Sequence, residues 1–221
     1  MIFWAARNRG PMALPGQYQV RLTADGQTQV QPAEVRLDPR VKDVTPADLQ
    51  KRFGLASQIQ AKVGQANDAV LLIRGVREQV EDRVKKSNDA GVRRAGEELE
   101  QKLAAIEGRI YQVRIQSRQD PLNYPIMLNN KLAALADVVE GSEAAPTDQD
   151  YAVFTDLSTR LDRELAALEG LLAKDLPALN ARLAAAHLPP VERKPEASVE
   201  PGMGVPPGVT KEGEEGEDED D

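Results

Sequence analysis

Between Leu49 and Val84 the apolar side chains recur at intervals of three, four or seven residues, and no proline interrupts them. Leu49, Phe53, Ala56, Ile59, Val63, Ala66, Val70, Ile73, Val80 and Val84 therefore form one helical stripe. Thr45 followed by Pro46 is an N-cap with proline at the first helical position, and Asp48 suits the positive end of the helix dipole. One long amphipathic helix is expected from there to about Lys86. A stripe of that length has to be buried, and the rest of the chain supplies the means.

Ser87-Asn88-Asp89 and Gly91 make a polar break, after which Val92, Ala95, Leu99, Leu103, Ile106, Ile110 and Val113 form a second stripe. It is expected to end near Ser117, because Asp120-Pro121 and Tyr124-Pro125 disfavour helical backbone before each proline. A third helix is expected from about Pro125 through Leu128, Leu132, Leu135 and Val138 to Gly141. Thr147 or Asp148 can cap a fourth, with Tyr151, Phe154, Leu157, Leu161, Leu165, Leu168 and Leu172, and Pro177 predicts a break or kink near Asp175. Aromatic residues are only 4% of the chain, so the core must be built from Leu, Val, Ile and Ala, which favours helix packing over a sandwich.

The first forty residues have a different period. Tyr18, Val20 and Leu22 alternate with polar neighbours, Asp25-Gly26 is a strong hairpin-turn signal, and Val30, Val35 and Leu37 follow. Ile2 to Ala5 is expected to be one further short strand. A lone hairpin is marginal in water. The apolar opening at Met1 therefore points to a larger β-domain whose earlier strands are not in this chain. At the other end, residues from Pro189 onward are rich in Pro, Gly and Glu and are too poor in large apolar side chains to offset ordering entropy.

The fold class expected is thus mainly α: an antiparallel helical bundle of about four helices, preceded by a partial β-sheet and followed by a disordered acidic tail. The boundaries are 1–40 for the partial β-segment, 41–188 for the bundle and 189–221 for the tail.

Charge and composition narrow the function. Glu212, Glu214, Glu215, Glu217, Asp218, Glu219, Asp220 and Asp221 supply 8 of the 36 acidic groups, leaving 28 against 28 Lys and Arg. A neutral body has no broad basic face for nucleic acid or an anionic membrane. No stretch approaches the ~20 apolar residues that span a bilayer. Arg7 and Arg9 cut the apolar opening too short for a signal peptide, so no export signal is read and the compartment stays open. The chain has no cysteine and one histidine, His187, which removes thiolate sites, catalytic triads and paired Glu-x-x-His metal sites. His187 itself is read as a last-turn charge favourable to the helix dipole. No catalytic, cofactor-binding or metal-binding residue is expected, and the chain is read as not an enzyme.

Three further features are read as structural. Glu78 with Asp82, and Glu97 and Glu98 near Lys102, have the spacing of a solvated helix face. Lys85-Lys86 and Arg93-Arg94 form a small basic cluster beside the first helix turn, and Asp120 to Pro125 makes an inter-helix corner.

Pro15-Gly16-Gln17-Tyr18-Gln19-Val20-Arg21-Leu22-Thr23 with Asp25-Gly26 and Asp38-Pro39-Arg40 resembles the close of the immunoglobulin-like domain in bacterial sortilin-type, BNR-repeat proteins labelled glycosyl hydrolases. Gln116 to Ile126 and Asn129-Asn130-Lys131-Leu132 resemble the helical C-terminal region of the same family. The resemblance runs over residues 2 to 188 and implies an exported parent protein whose β-propeller precedes this part. It implies no catalytic residue here, since the hydrolase label belongs to the propeller. The expected function is a structural or interaction module that docks an adjacent β-domain or another protein. The alternative is an accessory wall of a carbohydrate-active hydrolase, and a free-standing coiled-coil adaptor is a third possibility.

Overall fold

The computed structural model describes Met1, Phe3, Trp4, Ala6 and residues 9–195. The expected disorder of the acidic tail falls on residues 196–221, outside the described residues. In chain order the elements are β1 (Gly16–Ala24), β2 (Gln27–Val35), α1 (Pro46–Lys86), α2 (Ala90–Ile110), a 3-10 turn at Asp120–Leu122, α3 (Leu128–Val139) and α4 (Asp148–Ala185).

Local chemistry fixes the ends of the long helices. Thr45 accepts the N–H of Asp48 while the Asp48 carboxylate accepts the N–H of Thr45, and Thr147 and Asp150 repeat the arrangement at α4. The hydroxyl and then the amide of Thr45 hold the Asp48 carboxyl below its ordinary pKa. Asp89 caps α2 by accepting from Gly91 at 2.6 Å and Val92 at 2.9 Å. At Asp25 and Gly26 the hairpin turns through φ values of 51° and 74°, the paired positive angles that a tight two-residue hairpin requires.

The four helices bury one continuous aliphatic core, including Leu55, Ile59, Ile73, Leu103, Leu132 and Leu161. Their order in space is more specific than a simple up-down bundle. Arg74 and Arg77 of α1 meet Glu107 of α2, whereas Asn67 and Arg52, earlier in α1, meet Asn129 and Ser142 at the two ends of α3. So α2 and then α3 run back along α1, one after the other, in a single antiparallel column. Lys62 pairs with Asp162, and Gln79 lies near the Asn180 level through the segment they share, so α4 runs parallel to α1. About 60 Å of α1 is covered in this way, as 1.5 Å per residue dictates.

That stacking depends on a longer connection than the sequence suggests. The second helix ends at Ile110 rather than near Ser117, because Tyr111 turns to extended backbone and buries its ring under the Arg74 guanidinium, 5.2 Å from the centroid. Val113, expected on the stripe, is exposed. Beyond it the Asp120 carboxylate accepts the N–H groups of Gln116 at 2.5 Å and Ser117 at 2.7 Å, and these bonds depress its pKa. The third helix begins at Leu128, past Pro125.

Two further expectations are corrected. The helix does not break near Asp175: α4 is continuous through Pro177. Leu172, Leu176, Leu179 and Leu183 are all buried around the proline, and at roughly 1.5–3 kcal/mol each they outweigh its cost of about 3 kcal/mol. Phe3 and Trp4 form no strand, while Ile2 and Ala5 lie outside the described residues; the Trp4 backbone bonds to a side chain instead.

His187 is the first residue past the helix cap, at φ 57°. Its N–H bonds the Ala184 carbonyl and the Leu188 N–H bonds the Leu183 carbonyl, the paired closure usually made by glycine. Its role is therefore a left-handed turn residue. His187→Gly is expected to raise stability by about 1 kcal/mol, read as a higher urea midpoint at unchanged slope.

Candidate functional site

Burial of backbone in a helical body poses one problem: an irregular segment laid on it has N–H and C=O groups that no ladder satisfies. This chain meets the problem twice with side-chain amides. Asn130, at the start of α3 and 2% exposed, accepts the Trp4 N–H at 2.8 Å and donates to the Trp4 carbonyl at 3.1 Å. Its own N–H is held by Asn129 Oδ1 at 2.7 Å, which fixes the start of the turn that carries it. At its far end the same N-terminal segment is tied by the Met12 N–H to Glu140 Oε1 at 2.6 Å, with Arg52 Nη2 3.8 Å from Met12 Sδ.

The second segment follows α4. Asn180 takes both backbone groups of Val191, at 2.8 and 2.9 Å, and Gln79 of α1 takes both of Glu192, at 2.9 and 3.0 Å. Arg83 donates to the Pro189 carbonyl, and Arg193 pairs with Glu169. Val191 is 2% exposed and belongs to the core. Residues 189–194, expected to open the tail, are thus part of the folded body.

Two buried ionic centres hold the elements at fixed separations. Glu107 is 2% exposed and receives Arg74 Nε at 2.7 Å and Arg77 Nη1 at 2.8 Å. Arg52 is buried too; it donates to the Ser142 carbonyl at 2.5 Å and forms an ion pair with Glu143 Oε2 at 3.0 Å, pinning the α3–α4 loop to α1. Both are guanidinium–carboxylate pairs, the form in which burial of charge is tolerated, although Arg77 Nε is left without a partner.

The hairpin is the opposite case. Its register pairs Val20 with Gln31 and Leu22 with Gln29, so Tyr18, Val20, Leu22, Ala33 and Val35 share one face. Neither strand packs on a helix, and Val20 and Leu22 are 59% and 64% exposed. Both edges of the two-stranded sheet are free among the described residues.

The features singled out in the sequence are spread over the surface. Asp82 pairs with Lys86 and Arg83, Glu98 with Arg94, Lys85 with Glu81, and Lys102 with Asp175 of α4. The basic cluster is thus largely occupied by carboxylates of its own helices, in exposed pairs that solvent screens. At the corner, Arg114 lies 5.5 Å over the Tyr124 ring and Gln112 donates to the Pro125 carbonyl at 3.1 Å. No group of three or more His, Cys, Asp or Glu is placed to hold a metal among the described residues. No described helix is long and apolar enough to cross a membrane.

The amide clasps escaped the sequence reading, although a signal existed. Asn has poor helix propensity, yet Asn129 and Asn180 directly follow stripe leucines and Asn130 lies two residues before Leu132. Such residues have another task, and here it is to satisfy a backbone that crosses the helix. Against protein-family models, curated proteins and solved structures alike, the chain finds no match.

Proposed function

We propose that this chain is a non-catalytic structural and interaction module, the helical C-terminal part of a sortilin-type propeller protein. The bundle braces a neighbouring immunoglobulin-like domain, and the hairpin belongs to that domain's sheet. The observation that carries the reading is the hairpin's unpartnered apolar face, with Val20 and Leu22 more than half exposed. Two strands alone bury too little surface to be stable, whereas a third strand at either edge and a second sheet over Tyr18, Val20 and Leu22 would complete both the ladder and the core. The rigid body behind it, closed by buried ion pairs and amide clasps, suits a brace.

The test uses the chain joined to the β-domain encoded in frame before it. Amide exchange over residues 16–35 is expected to be fast in the present chain and to slow at least a hundredfold on joining, the difference between a fraying unit and a cooperative one. Leu22→Glu should abolish that protection and leave exchange in α1 and α4 unchanged. Equal exchange rates with and without the β-domain, or no such domain in frame, would remove the proposal.

A further inference from the structure

We propose that the neighbouring β-domain joins the hairpin at the outer edge of β1 and not of β2, and that the strand it supplies carries an acidic residue opposite Arg21. The inference rests on the brace reading and names the edge and the occupant that the reading leaves open.

The two edges differ because of where one proline falls. Asp25-Gly26 is a two-residue turn, so the flanking Ala24 and Gln27 exchange both of their backbone hydrogen bonds. In an antiparallel ladder such pairs alternate with pairs whose N–H and C=O groups point outward. By this register Leu22 with Gln29, Val20 with Gln31 and Tyr18 with Ala33 bond inward, while Gln19 with Pro32 and Arg21 with Val30 turn their backbone groups away from each other. Pro32 therefore costs the hairpin no bond. The donor it lacks is one that would point out from the middle of β2. A strand laid along β2 would meet that gap, with Thr28 and Val30 on one side of it and Glu34 on the other. Along β1, Gln17, Gln19, Arg21 and Thr23 each keep an outward N–H and C=O. Proline on an edge strand hinders further pairing, and here it leaves the other edge open.

Side-chain chemistry identifies the occupant. Gln17, Gln19, Arg21 and Thr23 lie on the face opposite Tyr18, Val20 and Leu22. Arg21 is exposed and has no acidic partner among the described residues, whereas Glu34, on the same face of β2, is already paired with Arg36. The β1 strand of a second copy has no Asp or Glu to offer, and its β2 strand offers the edge that Pro32 interrupts. The complement is a strand of different sequence. It is apolar on the Tyr18 side, where it extends the face that a second sheet covers, and acidic opposite Arg21, because opposite charges directly across a ladder attract.

Residue-resolved amide exchange by NMR reads the edge, on the present chain and on the chain joined to the β-domain encoded in frame before it. Joining should slow the inward amides of both strands. Among the outward ones it should slow Gln17, Gln19, Arg21 and Thr23 by about a hundredfold or more, while Thr28, Val30 and Glu34 stay within about threefold of their rates in the present chain. Gln19→Pro removes one outward donor and no ladder bond, so it should cost the joined chain most of the gain at Gln17 and Arg21, while Pro32→Val should change nothing there. Arg21→Glu should reduce the gain several-fold and Arg21→Lys should keep it. The inward amides of Tyr18 and Leu22 show whether each variant still forms the hairpin, and the bundle, on which neither strand packs, should melt as in wild type. Protection of Thr28, Val30 and Glu34 instead, of both edges equally, or of no outward amide would overturn the proposal and leave the brace standing. No slowing anywhere in residues 16–35 would remove both. A gain indifferent to Gln19→Pro would overturn the choice of edge, and one indifferent to Arg21→Glu the acidic occupant. A dimer of the present chain that Gln19→Pro dissociates would also overturn the proposal, since β1 would then belong to a second copy.

Discussion

Gly96→Val is expected to destabilise the chain by about 3 kcal/mol, the upper part of the range for overpacking a close-packed contact. Gly96 lies in α2 where it crosses the end of α1. A Cβ there would meet Val84 Cγ2 closer than real Cβ contacts come, with Val80 Cγ1 at 3.3 Å. Both neighbours are β-branched and stiff at χ1, and Val80 is fully buried, so neither can swing aside. The helices would have to separate, opening the tight turn at Ser87–Asp89 and the core beside Val92. For a chain of this size the loss corresponds to about 6–12 °C in melting temperature. Gly108 has open space beside it, so Gly108→Ala is the control and should be neutral or slightly stabilising, by the helix propensity gained. A Gly96→Val chain that melts with wild type would mean that α1 and α2 do not approach as closely as described.

Glu107→Ala is expected to cost about 2–3 kcal/mol. The carboxylate is buried between Arg74 and Arg77, and its removal leaves two guanidiniums facing each other with nothing between them. Arg77 Nε already lacks a partner, so the loss of the Nη1 bond leaves that side chain poorly satisfied. Each arginine side chain is about one third exposed and can turn toward water, which keeps the cost below the roughly 3–5 kcal/mol of a wholly buried pair. Urea denaturation gives the value directly. The triple change Glu107→Leu with Arg74→Met and Arg77→Met should recover most of it, because a well-packed apolar replacement avoids the desolvation of all three charges. Failure of the triple variant to recover stability would assign the loss to packing around Tyr111 and not to charge.

The parts of this fold that the sequence makes legible are those decided within one turn of helix or one hairpin. Thr45-Pro46 with Asp48 starts α1 where expected, Asp25-Gly26 turns the hairpin, and Thr147 starts α4. The parts hidden are decided by partners distant in the chain. Tyr111 ends α2 early because the Arg74 guanidinium covers its ring, and no local signal separates it from a helix continuing to Ser117. Pro177 is carried through α4 because four leucines around it find a core on α1 and α2. Glu107 was readable in principle: it stands four residues after Leu103 on a buried stripe, so an acid there needs cations opposite, and Arg74 and Arg77 lie three apart on α1. The clasps needed knowledge of which irregular segments return to the body, which no periodicity records.

Because α2 and α3 share one column, the body contains a seam. On one side lie the second half of α1, all of α2, the end of α4 and the clasped residues 189–194; on the other lie the first half of α1, α3, the start of α4 and the Asn130 clasp on the Trp4 backbone. The two long helices cross between them as splints bridging a joint, and the connection of residues 111–127 joins α2 to α3 beside them.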